Sequence, residues 1–214
     1  MNQEISYNIA SDLLKIGAIK FNFKEPFIWT SGIKSPIYCD NRQSLSYVDL
    51  RNMIRDAYVD IVKKHFPDAE VIAGVTTGGI PQGALIANSL NLSFIYVRDK
   101  NKDCGLKKST EGYLKKGQKV VIIEDNVSTG KSSIKVLEQL RNEGAEVLGM
   151  ITTLSYELPE AEENFRLQNC KVYTLSSFKI LIETAVEGGY LTEEEVTELY
   201  KWHKNPQSYN FDSK

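Results

Sequence analysis

Two adjacent carboxylates, Glu124 and Asp125, stand between an apolar run and a hydroxyl-rich turn in residues 120–133, VVIIEDNVSTGKSS. The apolar run is typical of a strand buried on both faces of a parallel sheet. A strand that leads through a Gly-containing turn into a helix presents free N–H groups and the positive end of the helix dipole, which suit a phosphate. The sequence therefore predicts a phosphate site whose added hydroxyl donors are Ser128, Thr129, Ser132 and Ser133.

The acidic pair indicates a second contact to the same ligand. Two carboxylates beside a phosphate repel it, so we expect them to bind another part of the ligand, such as sugar hydroxyls or a metal ion. Gly130, Lys131 and Ser132 also resemble the end of the nucleotide-binding Walker loop. That loop requires a glycine at position 125, where Asp125 stands, so the sequence excludes it.

The acidic pair and the hydroxyl-rich turn together resemble the phosphoribosyl pyrophosphate (PRPP) motif of type I phosphoribosyltransferases. In that family the two acids contact the ribose hydroxyls and the loop binds the 5′-phosphate. The resemblance implies that PRPP contacts Arg98, Lys102, Cys104, Glu124, Asp125, Asn126, Val127, Ser128, Thr129, Gly130, Lys131 and Ser132.

Three further segments are similar to the orotate phosphoribosyltransferases within that family. Residues 27–42, FIWTSGIKSPIYCDNR, resemble their N-terminal hood, residues 96–105, YVRDKNKDCG, their catalytic loop, and residues 202–206, WHKNP, their C-terminal ending. The similarity covers nearly the whole chain. It implies an enzyme that converts orotate and PRPP into orotidine 5′-phosphate and pyrophosphate in pyrimidine synthesis, with Mg²⁺ carried by the pyrophosphate.

The resemblance also implies roles for individual residues. Arg98 and Lys102 are the expected catalytic residues, because they would neutralise the departing pyrophosphate once the loop closes. Ser128 and Tyr38 are the expected contacts to orotate, and no side chain is expected to hold a metal ion. The family further implies a homodimer in which the loop of one subunit reaches the neighbouring site.

The sequence departs from the family pattern around the pyrophosphate. Cys104 stands where orotate enzymes carry a histidine, and Asp99 stands where some carry a lysine. The second Gly-containing turn, residues 76–79, lacks the lysine that some relatives place there. A neutral thiol is a weak donor. We therefore expect more of the pyrophosphate charge to be met by other residues.

Two alternative functions stay open on the sequence. One is a phosphoribosyltransferase for a purine or another pyrimidine, which would share the PRPP motif and differ in the hood. The other is a PRPP-sensing regulator that keeps the fold without turnover. The hood favours orotate over the first alternative, and the retained Arg98 and Lys102 argue against the second.

Length and composition limit the number of domains, the kind of ligand and the compartment that we expect. The chain has 214 residues, 42% hydrophobic and 25% charged, which predicts one domain to which residues 1–45 contribute the hood. A net charge of −2 argues against a nucleic-acid surface, and no apolar run is long enough to span a membrane. The three cysteines are odd in number and widely spaced, so we expect free thiols in a reducing cytoplasm.

The strands and helices that must position these residues alternate along the chain. Strands are predicted at residues 71–75, 93–97, 120–123, 146–153 and 172–175, and helices at residues 4–17, 47–65, 161–168, 176–188 and 192–204. This alternation predicts an α/β fold with a mainly parallel sheet flanked by helices. Residues 18–41 predict short antiparallel strands apart from that sheet, residues 98–116 predict a lid loop, and His203 is expected to be exposed.

Overall fold

The computed structural model of this chain describes residues 3–29, 31–98 and 109–211. Its helices are α1 (Gln3–Lys15), α2 (Val48–His65), α3 (Gly79–Leu90), α4 (Lys131–Asn142), α5 (Pro159–Leu167), α6 (Phe178–Glu187) and α7 (Glu193–Lys204). Its strands are β1 (Ile19–Phe21), β2 (Phe27–Ile28), β3 (Lys34–Ser35), β4 (Ile37–Cys39), β5 (Val71–Val75), β6 (Ser93–Val97), β7 (Thr110–Glu111), β8 (Lys119–Val127), β9 (Glu146–Ser155) and β10 (Val172–Ser177). A short 3-10 helix, Asn41–Ser46, follows β4.

Six strands form the main sheet in the order β10-β9-β8-β5-β6-β7. Every neighbouring pair is parallel except β6 and β7, which are antiparallel. The predicted α/β fold with a mainly parallel sheet is therefore confirmed. The edge strand β7 lies inside the segment for which the sequence predicts only a loop, because two residues carry no detectable alternation. None of the described helices has both the length and the apolar character needed to span a bilayer.

Strand β8 lies in the middle of the sheet and is buried on both faces. Val121 and Ile123 belong to the core formed with α1, α2 and α6, whereas Val120 and Ile122 belong to the core formed with α4 and α5. All four side chains are fully buried. Successive side chains of a strand point to opposite faces, so a strand covered on both faces must be apolar at every position, as predicted.

The same strand is longer than the sequence predicts. The expectation was an end at Ile123, with Glu124 and Asp125 beyond the strand, but β8 continues to Val127. Strand β5 pairs with β8 only as far as Ile123, whereas β9 pairs with it as far as Val127. The predicted end is wrong because the backbone partners in β9 are not visible in the local sequence. Glu124 and Asp125 therefore lie on the part of β8 that extends beyond the end of β5.

The N-terminal segment forms the predicted short antiparallel strands. Strand β1 pairs with β4, and β2 pairs with β3. This hood packs against α7, where Trp202 Nε1 donates a hydrogen bond to the carbonyl oxygen of Lys34 at 2.8 Å. The Trp29 and Trp202 rings meet edge to face with their centroids 5.5 Å apart. Helix α7 therefore fixes the hood against the rest of the fold.

The expectation that His203 is exposed is wrong. Its ring stacks on Phe178 with the centroids 4.2 Å apart, and its Nε2 lies 2.6 Å from the carbonyl oxygen of Tyr156. The half-buried ring fills the space between α7 and α6. Only the way in which α7 returns across the fold creates this environment, so the sequence gives no local sign of it.

The order of the strands creates a switch point between β5 and β8. From β5 the chain passes through α3 to β6 on one side, and from β8 it passes through α4 to β9 on the other. Two adjacent parallel strands whose connections leave in opposite directions open a crevice at their carboxyl ends, where ligands of α/β proteins bind. The two Gly-containing turns of the sequence both lie at this crevice.

Candidate active site

A cleft of about 460 Å³ opens at the switch point. Its walls come from the carboxyl end of β5, from the carboxyl end of β8 with the turn that follows, and from the hood. The lining residues are Ile28, Trp29, Tyr38, Cys39, Asp40, Arg42, Val75, Thr76, Thr77, Gly78, Glu124, Asp125, Asn126, Ser128, Ser132 and Tyr156.

The two carboxylates of the cleft have different surroundings. Glu124 is 5% exposed, and its side chain accepts hydrogen bonds from Asp125 N at 3.2 Å and Ser133 Oγ at 3.1 Å. Burial, and secondly the charge of Asp125, raise the pKa of Glu124 well above its ordinary value. Asp125 is only half-buried, so of the two it is the more open to a ligand.

The turn after β8 is held from behind by α5. Asn164 Nδ2 donates a hydrogen bond to the carbonyl oxygen of Thr129 at 2.8 Å. Gly130 has a φ of 75°, and a Cβ there would lie 2.9 Å from the ring of Phe165. The glycine thus permits both the left-handed backbone and the close contact with α5. Ser128 and Ser132, on either side of Gly130, both line the cleft.

The turn after β5 lies directly against the acidic pair. A Cβ on Gly78 would lie 2.1 Å from Asp125 Oδ2, and a Cβ on Gly79 would lie 2.3 Å from the carbonyl oxygen of Ile123. A Cβ at position 79 would thus overlap backbone, and one at position 78 would have to displace the Asp125 carboxylate. Thr76, Thr77 and Gly78 therefore form one wall of the cleft beside Asp125.

Asn41 joins the hood to β8. Its Nδ2 donates hydrogen bonds to the carbonyl oxygen of Asp125 and to Asn126 Oδ1, both at 2.8 Å. Asn126 Nδ2 in turn donates to the carbonyl oxygen of Cys39 at 3.3 Å. Asn41 is buried, and this pair of amides fixes the hood relative to the acids. Sequence reasoning missed its role, because the contact joins residues 85 positions apart.

Arg42 is the only cationic side chain among the described residues that line the cleft. Its Nε donates to Asp40 Oδ1 at 2.6 Å, and the hydrogen bond and charge of Asp40 raise the pKa of Arg42. The same lining contains three acids, Asp40, Glu124 and Asp125. These residues alone therefore carry too little positive charge for a polyanionic ligand.

The predicted site residues of the hood and of residues 124–132 fall into three groups. Those that line the cleft are Tyr38, Glu124, Asp125, Asn126, Ser128 and Ser132. Three more, Val127, Thr129 and Gly130, belong to the same segment but are buried. Lys131 is exposed, with its Nζ 2.6 Å from Glu160 Oε1.

Arg98 lies near this edge of the sheet but is engaged elsewhere. Its Nη2 is 2.6 Å from Glu111 Oε1, and its backbone N–H donates to the carbonyl oxygen of Ser109 at 2.9 Å. Residues 98 and 109 therefore lie side by side at the two ends of segment 99–108. Lys102 and Cys104 lie outside the described residues, as does Asp99, and their predicted roles stay predictions.

The acidic side chains of the cleft are few and partly engaged within the part of the chain that the structure describes. The described residues contain no group of three or more His, Cys, Asp or Glu side chains placed to hold a metal. Both oxygens of Glu124 already accept hydrogen bonds from the protein. A Mg²⁺ ion held by the oxygens of a pyrophosphate needs few protein ligands.

A second cavity of about 470 Å³ lies beside α5 and has a different character. Its lining includes the apolar side chains of Val127, Leu158, Ala161 and Phe165. It contains neither of the two Gly-containing turns and neither of the paired acids. We therefore assign the candidate site to the cleft at the switch point.

Comparisons with known proteins show the family to which the chain belongs. Residues 46–185 match the family model for the phosphoribosyl transferase domain, a range that includes both turns and the acidic pair. The chain is also 49% identical to the orotate phosphoribosyltransferase of Cytophaga hutchinsonii over 198 residues, which cover 92% of this chain and 95% of that protein. This chain belongs to the orotate phosphoribosyltransferase family.

Solved structures extend the family likeness to three dimensions. The orotate phosphoribosyltransferase of Aeropyrum pernix is similar with a TM-score of 0.74 and 27% identity, over 86% of this chain and 99% of that chain. The UMP synthase of Leishmania donovani is similar with a TM-score of 0.79 and 25% identity over 92% of this chain. The matched part is 42% of that longer chain. An orotate phosphoribosyltransferase fold thus accounts for nearly all of the present chain.

Proposed function

We propose that this protein transfers the phosphoribosyl group of PRPP to orotate, which gives orotidine 5′-phosphate and pyrophosphate for pyrimidine synthesis. The observation that carries the proposal is the meeting of three features in one cleft. These features are an acidic pair, two Gly-containing turns and an aromatic hood wall. A sugar that carries a 5′-phosphate and a pyrophosphate and reacts with a flat base needs this combination.

Each part of PRPP has a complementary part of the cleft. Glu124 and Asp125 bind the ribose hydroxyls, and the more open Asp125 does so through charge-assisted hydrogen bonds. Residues 126–132 bind the 5′-phosphate through backbone N–H groups, serine hydroxyls and the N-terminus of α4. The turn at residues 76–79 binds the pyrophosphate, and orotate lies between Tyr38 and Ser128.

The reaction depends on position and charge rather than on a protein nucleophile. A ring nitrogen of orotate displaces pyrophosphate from the ribose C1, and positive charge develops on the ribose ring in the transition state. In this proposal the carboxylate of Asp125 stabilises that charge. Mg²⁺ on the pyrophosphate supplies further positive charge for the leaving group. Holding both reactants in one cleft supplies the orientation that a bimolecular reaction lacks.

The pyrophosphate needs cations that the described lining does not provide. We assign this role to Lys102 and Arg98, with Cys104 as a further PRPP contact. The support is the charge of the cleft, where one arginine faces three acids, and the position of Arg98 at the base of segment 99–108. Release of Arg98 from Glu111 would make its guanidinium available. We further propose a homodimer in which this segment serves the neighbouring subunit.

The proposal treats the chain as one phosphoribosyltransferase domain, with residues 1–45 as the hood. The support is a single hydrophobic core that contains Trp29 of the hood, Trp202 of α7 and Val121 of the sheet. We also propose a cytoplasmic location, since Cys39 and Cys170 are both free thiols and a reducing compartment keeps them so.

A base-competition assay tests the proposed function. Pyrophosphate release is followed with PRPP and Mg²⁺ and with orotate, uracil or hypoxanthine as the only base, and we expect release with orotate. Release with uracil or hypoxanthine but not with orotate would assign another base. Binding of PRPP without release for any base would favour the regulator.

A further inference from the structure

The hood places one arginine, Arg42, in the wall of the cleft that also contains Tyr38. Orotate differs from uracil by a carboxylate that is charged at neutral pH. We propose that Arg42 binds this carboxylate and so selects orotate over neutral bases. The inference rests on the proposed function and assigns a specificity role to a residue of the same cleft.

The charge of the lining is the first argument. Within the part of the chain that the structure describes, Arg42 is the sole cation of the cleft, and Asp40, Glu124 and Asp125 are its acids. An orotate carboxylate would enter this set as one more negative charge. Burying that charge without a partner is costly. Among the described lining residues, only Arg42 offers such a base a positively charged partner for its carboxylate, whereas a neutral base needs none.

The geometry of Arg42 is the second argument. Asp40 Oδ1 accepts from both the Nε of Arg42 at 2.6 Å and its backbone N–H at 3.3 Å. The guanidinium is thereby held at one edge. Its two terminal nitrogens, Nη1 and Nη2, make no hydrogen bond to any other described residue. Two parallel N–H donors of this kind match the two oxygens of a carboxylate.

The placement of Arg42 within the cleft is the third argument. Arg42 belongs to the hood and follows the aromatic Tyr38, whereas both candidate phosphate-binding turns belong to the main sheet. Its neighbour Asn41 is fixed to Asp125 and Asn126 by hydrogen bonds. The arginine is thus positioned beside the proposed base site before any ligand binds.

Binding of two nucleotides that differ only in the carboxylate tests the proposal. Orotidine 5′-phosphate and UMP share the phosphoribosyl group, so the ratio of their dissociation constants isolates the carboxylate. By calorimetry we expect the parent protein to bind orotidine 5′-phosphate more tightly than UMP. In Arg42→Gln this preference should shrink by roughly ten- to a hundredfold, the loss expected for hydrogen bonds to a charged group, while UMP affinity is unchanged.

Two further variants and one control separate specificity from folding. Arg42→Lys keeps the charge but loses the paired donors, so it should retain part of the preference. Asp40→Asn removes the charge that holds the guanidinium and should reduce the preference less than Arg42→Gln does. Arg55→Gln is the matched control, because Arg55 Nε bonds to Asp56 Oδ1 at 2.8 Å outside the cleft. It should keep the full preference.

The experiment distinguishes failure of the role of Arg42 from failure of the proposed function. An unchanged preference in Arg42→Gln, or equal weakening of both nucleotides, overturns the role of Arg42 and leaves the proposed function standing. A parent protein that neither binds orotidine 5′-phosphate nor releases pyrophosphate with orotate overturns the proposed function and this inference together. If Arg42→Gln does not fold, an undiminished preference in Arg42→Lys and Asp40→Asn overturns the inference.

Discussion

The turn after β8 is held by a hydrogen bond from α5, whereas the turn after β5 lies directly against the acidic pair. Behind the first turn, Asn164 bonds to the backbone of Thr129 and Phe165 packs on Gly130. At the second turn, Gly78 approaches the carboxylate of Asp125 so closely that a Cβ would overlap it. Both turns lie between a parallel strand and a helix, but they depend on different neighbours.

We propose that this difference separates the binding of the 5′-phosphate from the binding of the pyrophosphate. The turn after β8 contributes hydroxyls and a helix N-terminus, so the proposed 5′-phosphate site needs no cation from segment 99–108. The turn after β5 contributes backbone and threonine side chains but no cation. We infer that the 5′-phosphate site is preformed and that the pyrophosphate site is completed by residues of segment 99–108.

The largest loss of activity is expected at Asp125, which lies close to both turns. Asp125→Asn should lower kcat/KM for PRPP about ten- to a hundredfold, because a hydrogen bond to a charged group contributes about 1.5–3 kcal/mol. The thermal midpoint should change little, since Asp125 is only half-buried. Asp68→Asn, on the exposed surface, is the control. Unchanged kinetics in Asp125→Asn would make this carboxylate structural.

Alanine at the two turn glycines should separate activity from stability. Gly78→Ala should lower kcat/KM for PRPP about tenfold, because its Cβ displaces the Asp125 carboxylate from the ligand. Gly130→Ala should instead lower the free energy of unfolding by about 1–2 kcal/mol, the cost of a left-handed backbone at a residue with a Cβ. Steady-state kinetics and denaturant titration measure both quantities. The same pattern in both variants would contradict the different support of the turns.

The sequence predicted some of this arrangement and not the rest, for physical reasons. The four apolar residues of β8 and the Gly-containing turn carry local signals of burial and helix entry, so the buried strand and the turn that leads into α4 could be predicted. The extension of β8 through Asp125 depends on pairing with β9. The roles of Asn41 and Arg42 depend on contacts across the fold. Local patterns do not contain such contacts.

A smaller loss of ligand affinity is expected when the contact between α5 and the turn after β8 is removed. Asn164→Ala removes the donor to Thr129 and should cost about 1 kcal/mol, which corresponds to roughly a fivefold loss of affinity for orotidine 5′-phosphate. The neighbouring Glu163→Ala is the control, because Glu163 bonds only to exposed Arg166 among the described residues. Calorimetry measures both variants. Equal affinities would show that α5 does not position the turn.

The smallest effect is a change of folding stability with pH, and it arises from Glu124. Because its pKa in the folded protein is raised above the ordinary 4.5, the folded state holds this proton where the unfolded state has lost it. The parent therefore loses stability as pH rises from 4.5 through the raised pKa. The stability of Glu124→Gln relative to the parent should increase over that window. Denaturant titration at several pH values measures it, and a relative stability that falls with pH would contradict the raised pKa.

Lys102→Ala tests most directly the claim that one phosphate site is preformed and the other is completed by segment 99–108. Steady-state kinetics with PRPP need both sites, whereas calorimetric binding of orotidine 5′-phosphate needs only the first. We predict that kcat/KM for PRPP falls by about tenfold or more, while affinity for orotidine 5′-phosphate stays at the parent value. Exposed Lys115→Ala is the control and should change neither. Equal loss for both ligands, or no loss for PRPP, would contradict the account.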